Sequence, residues 1–401
     1  MTTREAPTAA ARAVPAGEAA DVVALTQELV RAASPNPPGD ERAVGAAVED
    51  ALKALGLPPA QTLARDDRRP NLLTTIDFGP GGRHLVLCGH MDTKPVGDAE
   101  WTTDPLGAEV DGDRLYGLGS ADMKGALAAM LVAASHAAQD PPSAGRLTLL
   151  FTADEENGAA FGARHVNRMR PLHADGVVIG EPGGIEGDFD RLHLVSRGIA
   201  RLRIVARARQ GHSSLAEELE MRNAGVDAAR AVIAVHDDLA LRTPPNEHDL
   251  EGWNATVNTG LAYRGGVGYG VLPGRIAVDT EVRLLPGMER DDVTQAFEHA
   301  LHAAGGDLEL TFDEPPNDWL AATLVEPGHP LAQTAAEALG PGVPPSVFPG
   351  TTDATFFDEP TLPALGPGLL RRAHAADEWI SVQALHRAVE LYARVIQGFC
   401  P

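Results

Sequence analysis

The apolar run Leu85-Val86-Leu87-Cys88-Gly89 leads directly into His90-Met91-Asp92. Residues two apart on extended backbone share a face, so the Asp92 carboxylate can reach the far nitrogen of His90 while the near one stays free. A metal-bound imidazole needs that partner, which fixes its tautomer and raises its basicity. Alone, a His and an Asp at a strand end are as well explained by chance. The theme recurs. Leu115-Tyr-Gly-Leu-Gly-Ser-Ala-Asp122 places a carboxylate at the start of a helix, where it could be an N-cap or, with two oxygens, a bridge between cations. The strand ending at Thr152 delivers Asp154-Glu155-Glu156. Adjacent carboxylates above an apolar strand repel one another unless cations compensate, and one glutamate can hold metal while its neighbour faces the metal's water as a base. Val177 to Gly180 ends in Glu181-Pro182, and Gly366-Pro367-Gly368 precedes His374, with Asp377 and Glu378 following. A lone histidine is more often a surface or core residue than a ligand. Two histidines and three carboxylates, one bridging, suit two divalent ions close together.

Apolar residues at helical spacing (Val23, Leu25, Leu29, Val30, then Val44, Val48, Leu52, Leu55) mark two helices ahead of these segments. Strands follow at Leu72 to Ile76, His84 to Cys88, Arg146 to Thr152 and Gly176 to Ile179, with helices at Met123 to Ala138 and Gly158 to Met169. This alternation predicts an α/β domain whose mixed, mostly parallel sheet is flanked by helices. From about Arg191 the rhythm changes to strands at Leu192 to Ser196, Ala200 to Ala208, Ala255 to Ala262, Arg275 to Leu284 and Leu308 to Asp313, with helices at Leu219 to His236 and Asp291 to Ala303. That order suits an α+β module, closed by Pro315-Pro316. The expected organisation is a tail over 1–20, a catalytic domain in two parts over 21–189 and 316–401, and an inserted module over 190–315.

With 33 basic and 56 acidic residues among 401, the net charge is −23. Such a field repels polyphosphate, so neither nucleic acid nor an anionic membrane is an expected partner. Arginine supplies nearly all the basic charge, since the only lysines are Lys53, Lys94 and Lys124; that pattern reads as composition bias, not as a phosphate site. Two cysteines, Cys88 and Cys400, cannot make a disulfide framework, and a cytoplasmic location is expected. The first 20 residues lack the unbroken apolar run of a signal peptide, and Ala126 to Ser135 is too short to span a bilayer. A serine or cysteine hydrolase is unsupported: no Gly-x-Ser-x-Gly occurs, and Cys88 lies within an apolar strand.

In order, His90-x-Asp92, Gly-Ser-Ala-Asp122-Met-Lys-Gly, Thr-Ala-Asp-Glu155-Glu156-x-Gly, Gly-Glu181-Pro and His374 resemble the co-catalytic zinc peptidases and deacylases of the M20 family, from about Val22 to Phe399. Trp101-Thr-x-Asp-Pro-Leu-Gly and Asp113-Arg-Leu-Tyr-Gly add to the likeness, as do Asn71 and Gly350-Thr-Thr-Asp353-Ala. The resemblance implies that His90, Asp122 and Glu181 hold one metal and Asp122, Glu156 and His374 the other, with Asp92 clamping His90 and Glu155 as general base. The ions would be zinc, with cobalt or manganese as alternatives. The inserted module resembles the family's lid or dimerisation domain, so a homodimer is implied. On it, His212 of Gly211-His-Ser-Ser would contact the oxyanion, and Arg283 of Asp279-Thr-Glu-Val-Arg-Leu-Leu-Pro-Gly would bind a substrate carboxylate. One departure is Gly270 before Val271-Leu272-Pro273, where relatives commonly carry Asn. Arg371 and Arg372, just ahead of His374, are either solvent-facing charges or a contact for an acidic substrate group.

The expected reaction is hydrolysis of the amide bond of a small N-acyl amino acid with a free carboxylate, by a hydroxide bridging two metal ions. The alternatives are a dipeptidase or carboxypeptidase on the same site and a catalytically silent binding protein.

Overall fold

The structure, a computed structural model, describes residues 21–401; the tail expected over 1–20 lies outside them. The chain forms two compact units. The first runs to His193 and resumes over Glu326–Pro344 and Phe356–Pro401, and the second comprises Leu194–Val325 and Pro345–Thr355. The second therefore extends past the expected end at 315. Its chain keeps pairing beyond Pro315-Pro316, with Trp319 and Leu320 in register with Ala200 and Ile199.

In the first unit, β1 (Gln61–Ala64), β2 (Pro70–Gly79), β3 (His84–His90), β4 (Gly145–Thr152) and β5 (Gly176–Ile179) form a sheet in the order β1-β2-β4-β3-β5, extended by the short strand Thr361–Leu362. β2 is antiparallel to both neighbours, whereas β4-β3, β3-β5 and β5 with Thr361–Leu362 pair in parallel. The central strands are continuous apolar runs because helices cover both faces: Leu85, Val86, Leu87, Leu147, Leu149, Val177 and Val178 are all buried. The helix Gly125–Gln139 is buried almost all round and packs on the helices Val22–Arg31 and Val382–Phe399. Close approach to the sheet depends on a missing side chain, since a Cβ on Gly89 would lie 2.5 Å from Leu127 and Met123 atoms.

Parallel strands finish on one edge of a sheet, where α/β folds form their crevices. His90 ends β3, Asp154–Glu156 follows β4, and Glu181 follows β5. Two helices start later than their apolar pattern suggests. Asp122 and Met123 have non-helical backbone angles, so that helix begins at Gly125. The next covers only Ala163–Met169, because Asp154 is left-handed and its main-chain and carboxylate oxygens accept from the amides of Ala159 and Phe161.

In the second unit, β6 (Gly198–Arg207), β7 (Thr256–Gly265), β8 (Arg275–Leu284) and β9 (Asp307–Phe312) form an antiparallel sheet in the order β7-β8-β6-β9. The helices Ala224–Asp238 and Arg290–Ala304 pack on it. Asn223 caps the first of these, its side chain accepting from Gly225 N, which is why the helix starts later than Leu219. Leu192–Ser196 is not in this sheet and pairs with Thr323–Leu324 instead.

Candidate metal centre

The first unit brings His90, Asp122, Glu156, Glu181 and His374 together although they span most of the chain. One ligand atom each from His90, Asp122 and Glu181 lies within 4.8 Å of the others, and the same holds for Asp122, Glu156 and His374. Asp122 stands between the imidazoles: Oδ1 is 2.9 Å from His90 Nε2 and Oδ2 is 3.3 Å from His374 Nε2. Glu181 Oε1 is 3.6 Å from His90 Nε2, and Glu156 Oε1 is 3.1 Å from His374 Nε2.

Two atoms of Asp92 tether His90. Its Nδ1 faces the main-chain carbonyl of Asp92 at 2.9 Å, with the Asp92 carboxylate at 3.5 Å. That carboxylate does more than clamp an imidazole. It accepts from Glu155 N at 3.2 Å and Glu156 N at 3.1 Å, and from the Asn36 amide at 2.8 Å. One buried group thereby orients the histidine and also fixes the backbone that carries both glutamates.

Behind it runs a buried polar network: Asn36 also donates to Asp154, and Arg69 bridges Asp154 and Glu41. Asn71 adds support by donating to Leu63 O and Phe161 O and accepting from Ala153 N. Glu378 sets the loop of Asp122, accepting from the amides of Gly119, Ala121 and Asp122 at 2.9–3.1 Å. Asp377 accepts from Thr102 and Thr103. The acids after His374 thus hold loops in place. Sequence reasoning missed Asn36, Arg69 and Lys94 and did not see the role of Glu378. Its nearness to His374 was the available signal.

Charge is concentrated here. Burial would lower the His90 imidazole, but hydrogen bonds to Asp122 and Asp92 carry it well above its ordinary value. Hydrogen bonds to Asp122 and Glu156 raise His374 to about 10. Burial and the Asp122 charge push Glu181 well above the usual carboxylate range. Burial works against ionised Asp122, yet hydrogen bonds from His374 and His90 hold it well below that range. Among the protein's own groups, the upward shifts of the imidazoles and of Glu181 answer the crowding of carboxylates. Divalent cations do the same with more charge in less space. Imidazole and carboxylate donors at these separations fit a divalent metal ion.

In the second unit, Gly211–His212 pairs with Val271–Leu272. His212 Nδ1 accepts from Ser214 N at 3.3 Å, which assigns the imidazole proton to Nε2. Gly270 adopts φ +80° and its carbonyl accepts from Ser213 N, so the residue stands in a turn that glycine suits. Arg283 on β8 contacts Glu281 at 3.1 Å and Thr351 Oγ1 at 3.3 Å. In the first unit, Arg371 donates to the carbonyls of Ile185 and Glu186, and Arg372 lies over the Trp379 ring at 5.2 Å.

Residues 86–398 match peptidase family M20/M25/M40. Succinyl-diaminopimelate desuccinylase of Xanthomonas campestris pv. campestris (strain B100) is 31% identical over 402 residues, covering 94% of this chain and 98% of that enzyme. The chain belongs to the M20 family. As an M20 protein it is a hydrolase of amide C–N bonds in a metal-dependent family. Acetylornithine deacetylase of Klebsiella pneumoniae (strain 342) is 32% identical over 349 residues, covering 82% of the M20 chain and 83% of the enzyme. The fold matches that of an M20 metallo-carboxypeptidase from Sulfolobus solfataricus with a TM-score of 0.74 at 19% identity, over 94% of this chain and 99% of that one. Among the described residues no helix is long and apolar enough to cross a membrane.

Proposed function

We propose that the chain removes the acyl group from a small N-acyl amino acid by hydrolysing its amide bond. The observation that carries the reading is the shared Asp122, whose two oxygens face two imidazoles at 2.9 and 3.3 Å. His90, Asp122 and Glu181 would hold one divalent ion, and Asp122, Glu156 and His374 the other, zinc being favoured over cobalt or manganese. Ions bound there supply Lewis acidity toward a carbonyl oxygen and lower the pKa of water toward neutrality.

Glu155 is the general base in this reading. Asp92 pins its amide beside that of Glu156, and its carboxylate takes a proton from the attacking water and returns it to the leaving nitrogen. His212, with its proton on Nε2, is assigned to the oxyanion, and Arg283 to the substrate carboxylate. The second unit is assigned to homodimerisation, because its edge strand β7 exposes Leu261 and Tyr263 and the helix Ala224–Asp238 exposes Ile233. The two curated relatives support the deacylase reading, since they are named as a desuccinylase and a deacetylase.

A panel of N-acetyl amino acids, N-succinyl amino acids and dipeptides, run with zinc, cobalt and manganese, tests the substrate class. Faster turnover of an acylated amino acid is expected; turnover of dipeptides alone moves the reading to a dipeptidase or carboxypeptidase. Glu155→Gln should keep its metal and lose roughly 10²- to 10⁴-fold in kcat. Normal turnover in that variant removes Glu155 from the role.

A further inference from the structure

We propose that Lys94 is a tethered competitor for the more open ion position and sets the affinity of the second ion. The proposal rests on the reading that Asp122, Glu156 and His374 hold that ion. Lys94 Nζ lies 3.1 Å from Glu156 Oε2 and also donates to the main-chain carbonyl of Glu156. The other oxygen, Oε1, faces His374 Nε2 at 3.1 Å. An ammonium has three donors and no acceptor, so Lys94 can hold Glu156 only through lone pairs that an ion would also use.

Two consequences follow from that hold. Glu156 presents one oxygen toward Asp122 and His374, and binding through both requires Lys94 to leave. An ion on Oε1 also meets the Lys94 charge, held on the other oxygen of the same carboxylate, which opposes binding. The buried group carries no such cation: among the described residues neither Asp122 nor Glu181 is paired with a lysine or arginine. Composition does not account for the residue, because only three of the 33 basic side chains are lysines. The Lys94 side chain is 38% exposed, so it has room to swing aside and to be replaced.

The test is calorimetric titration of chelator-treated wild type, Lys94→Ala and Lys94→Arg with Zn²⁺, alongside thermal melting of each protein. The wild type is expected to take two ions of well-separated affinity. Lys94→Ala should bind the second ion about tenfold or more tighter, as removal of a unit charge near a divalent ion requires even under solvent screening, with the first ion unchanged. Lys94→Arg, which keeps the charge, should resemble wild type. Should Lys94→Ala fail to fold by its melting curve, Lys94→Gln makes the same comparison. Equal or weaker second-ion binding in the folded neutral variant overturns the proposal and leaves the ion positions standing. No Zn²⁺ uptake by wild type overturns both.

Discussion

His90 and Glu181 are 1% and 8% exposed in their side chains, whereas His374 is 48% exposed, yet both groups draw on the same Asp122 carboxylate. The buried group takes His90 and Glu181 from the ends of the adjacent strands β3 and β5, so the backbone ladder between them sets their spacing. The open group takes Glu156 from a single turn of 3₁₀ helix and His374 from a loop where its own φ is +59°. A ladder holds its residues at fixed separation, and a loop lets them adjust. If both groups hold an ion as proposed, the contrast predicts one tightly held and one exchangeable ion, with Lys94 acting only on the second.

Removing one imidazole at a time breaks or sharpens that contrast most strongly. His90→Ala should take zinc content below one ion per chain, whereas His374→Ala should retain about one. Both should lose more activity than the roughly 10- to 100-fold typical when only a partner of a ligand is removed. Metal analysis with turnover decides it, and equal metal loss in the two variants would mean that the groups are not distinct. Asp92→Ala comes next. Because Asp92 orients His90 and pins the amide of Glu156, it should weaken both ions, by roughly 10- to 100-fold, in the same titration. An effect confined to the ion on His90 would show that its backbone contacts do not matter.

The smallest effect is on protons. His374 is raised to about 10 by Asp122 and Glu156, so in chelator-treated protein it stays protonated from its ordinary 6.5 up to that value. The imidazole must be neutral to ligate. Uptake of the second zinc near pH 8 should therefore release the His374 proton, and second-ion affinity should rise with pH across that window. Calorimetry in buffers of different ionisation enthalpy counts the proton, and His374→Ala should remove it.

Much of the centre was legible because its signals are local. An apolar run ending in His-x-Asp, or in adjacent carboxylates, reads as a strand delivering ligands to a sheet edge, whatever lies elsewhere in the chain. The organisation into an α/β sheet and an inserted α+β module followed from the same rhythm. Boundaries were less legible. Gly125, Ala163 and Ala224 begin helices later than the apolar pattern suggests, because hydrogen bonds at Asp154 and Asn223 and the non-helical Asp122-Met123 compete with helix formation. Trp319 extends the second unit past two prolines because pairing with Ala200 outweighs their break in the chain.

The sequence by itself determined which donors exist and that several stand at strand ends, since alternation and burial are properties of neighbours along the chain. It also determined the acidic field and the absence of a nucleophilic serine motif. Only the tertiary structure decided that Asp122 sits between His90 and His374, that Asp92 holds the backbone of Glu155 and Glu156, that Glu378 shapes the Asp122 loop, and that Lys94 occupies one oxygen of Glu156. These pairs are separated by long stretches of chain, and a side chain's type says nothing about which distant residue the order β4-β3-β5 will set beside it.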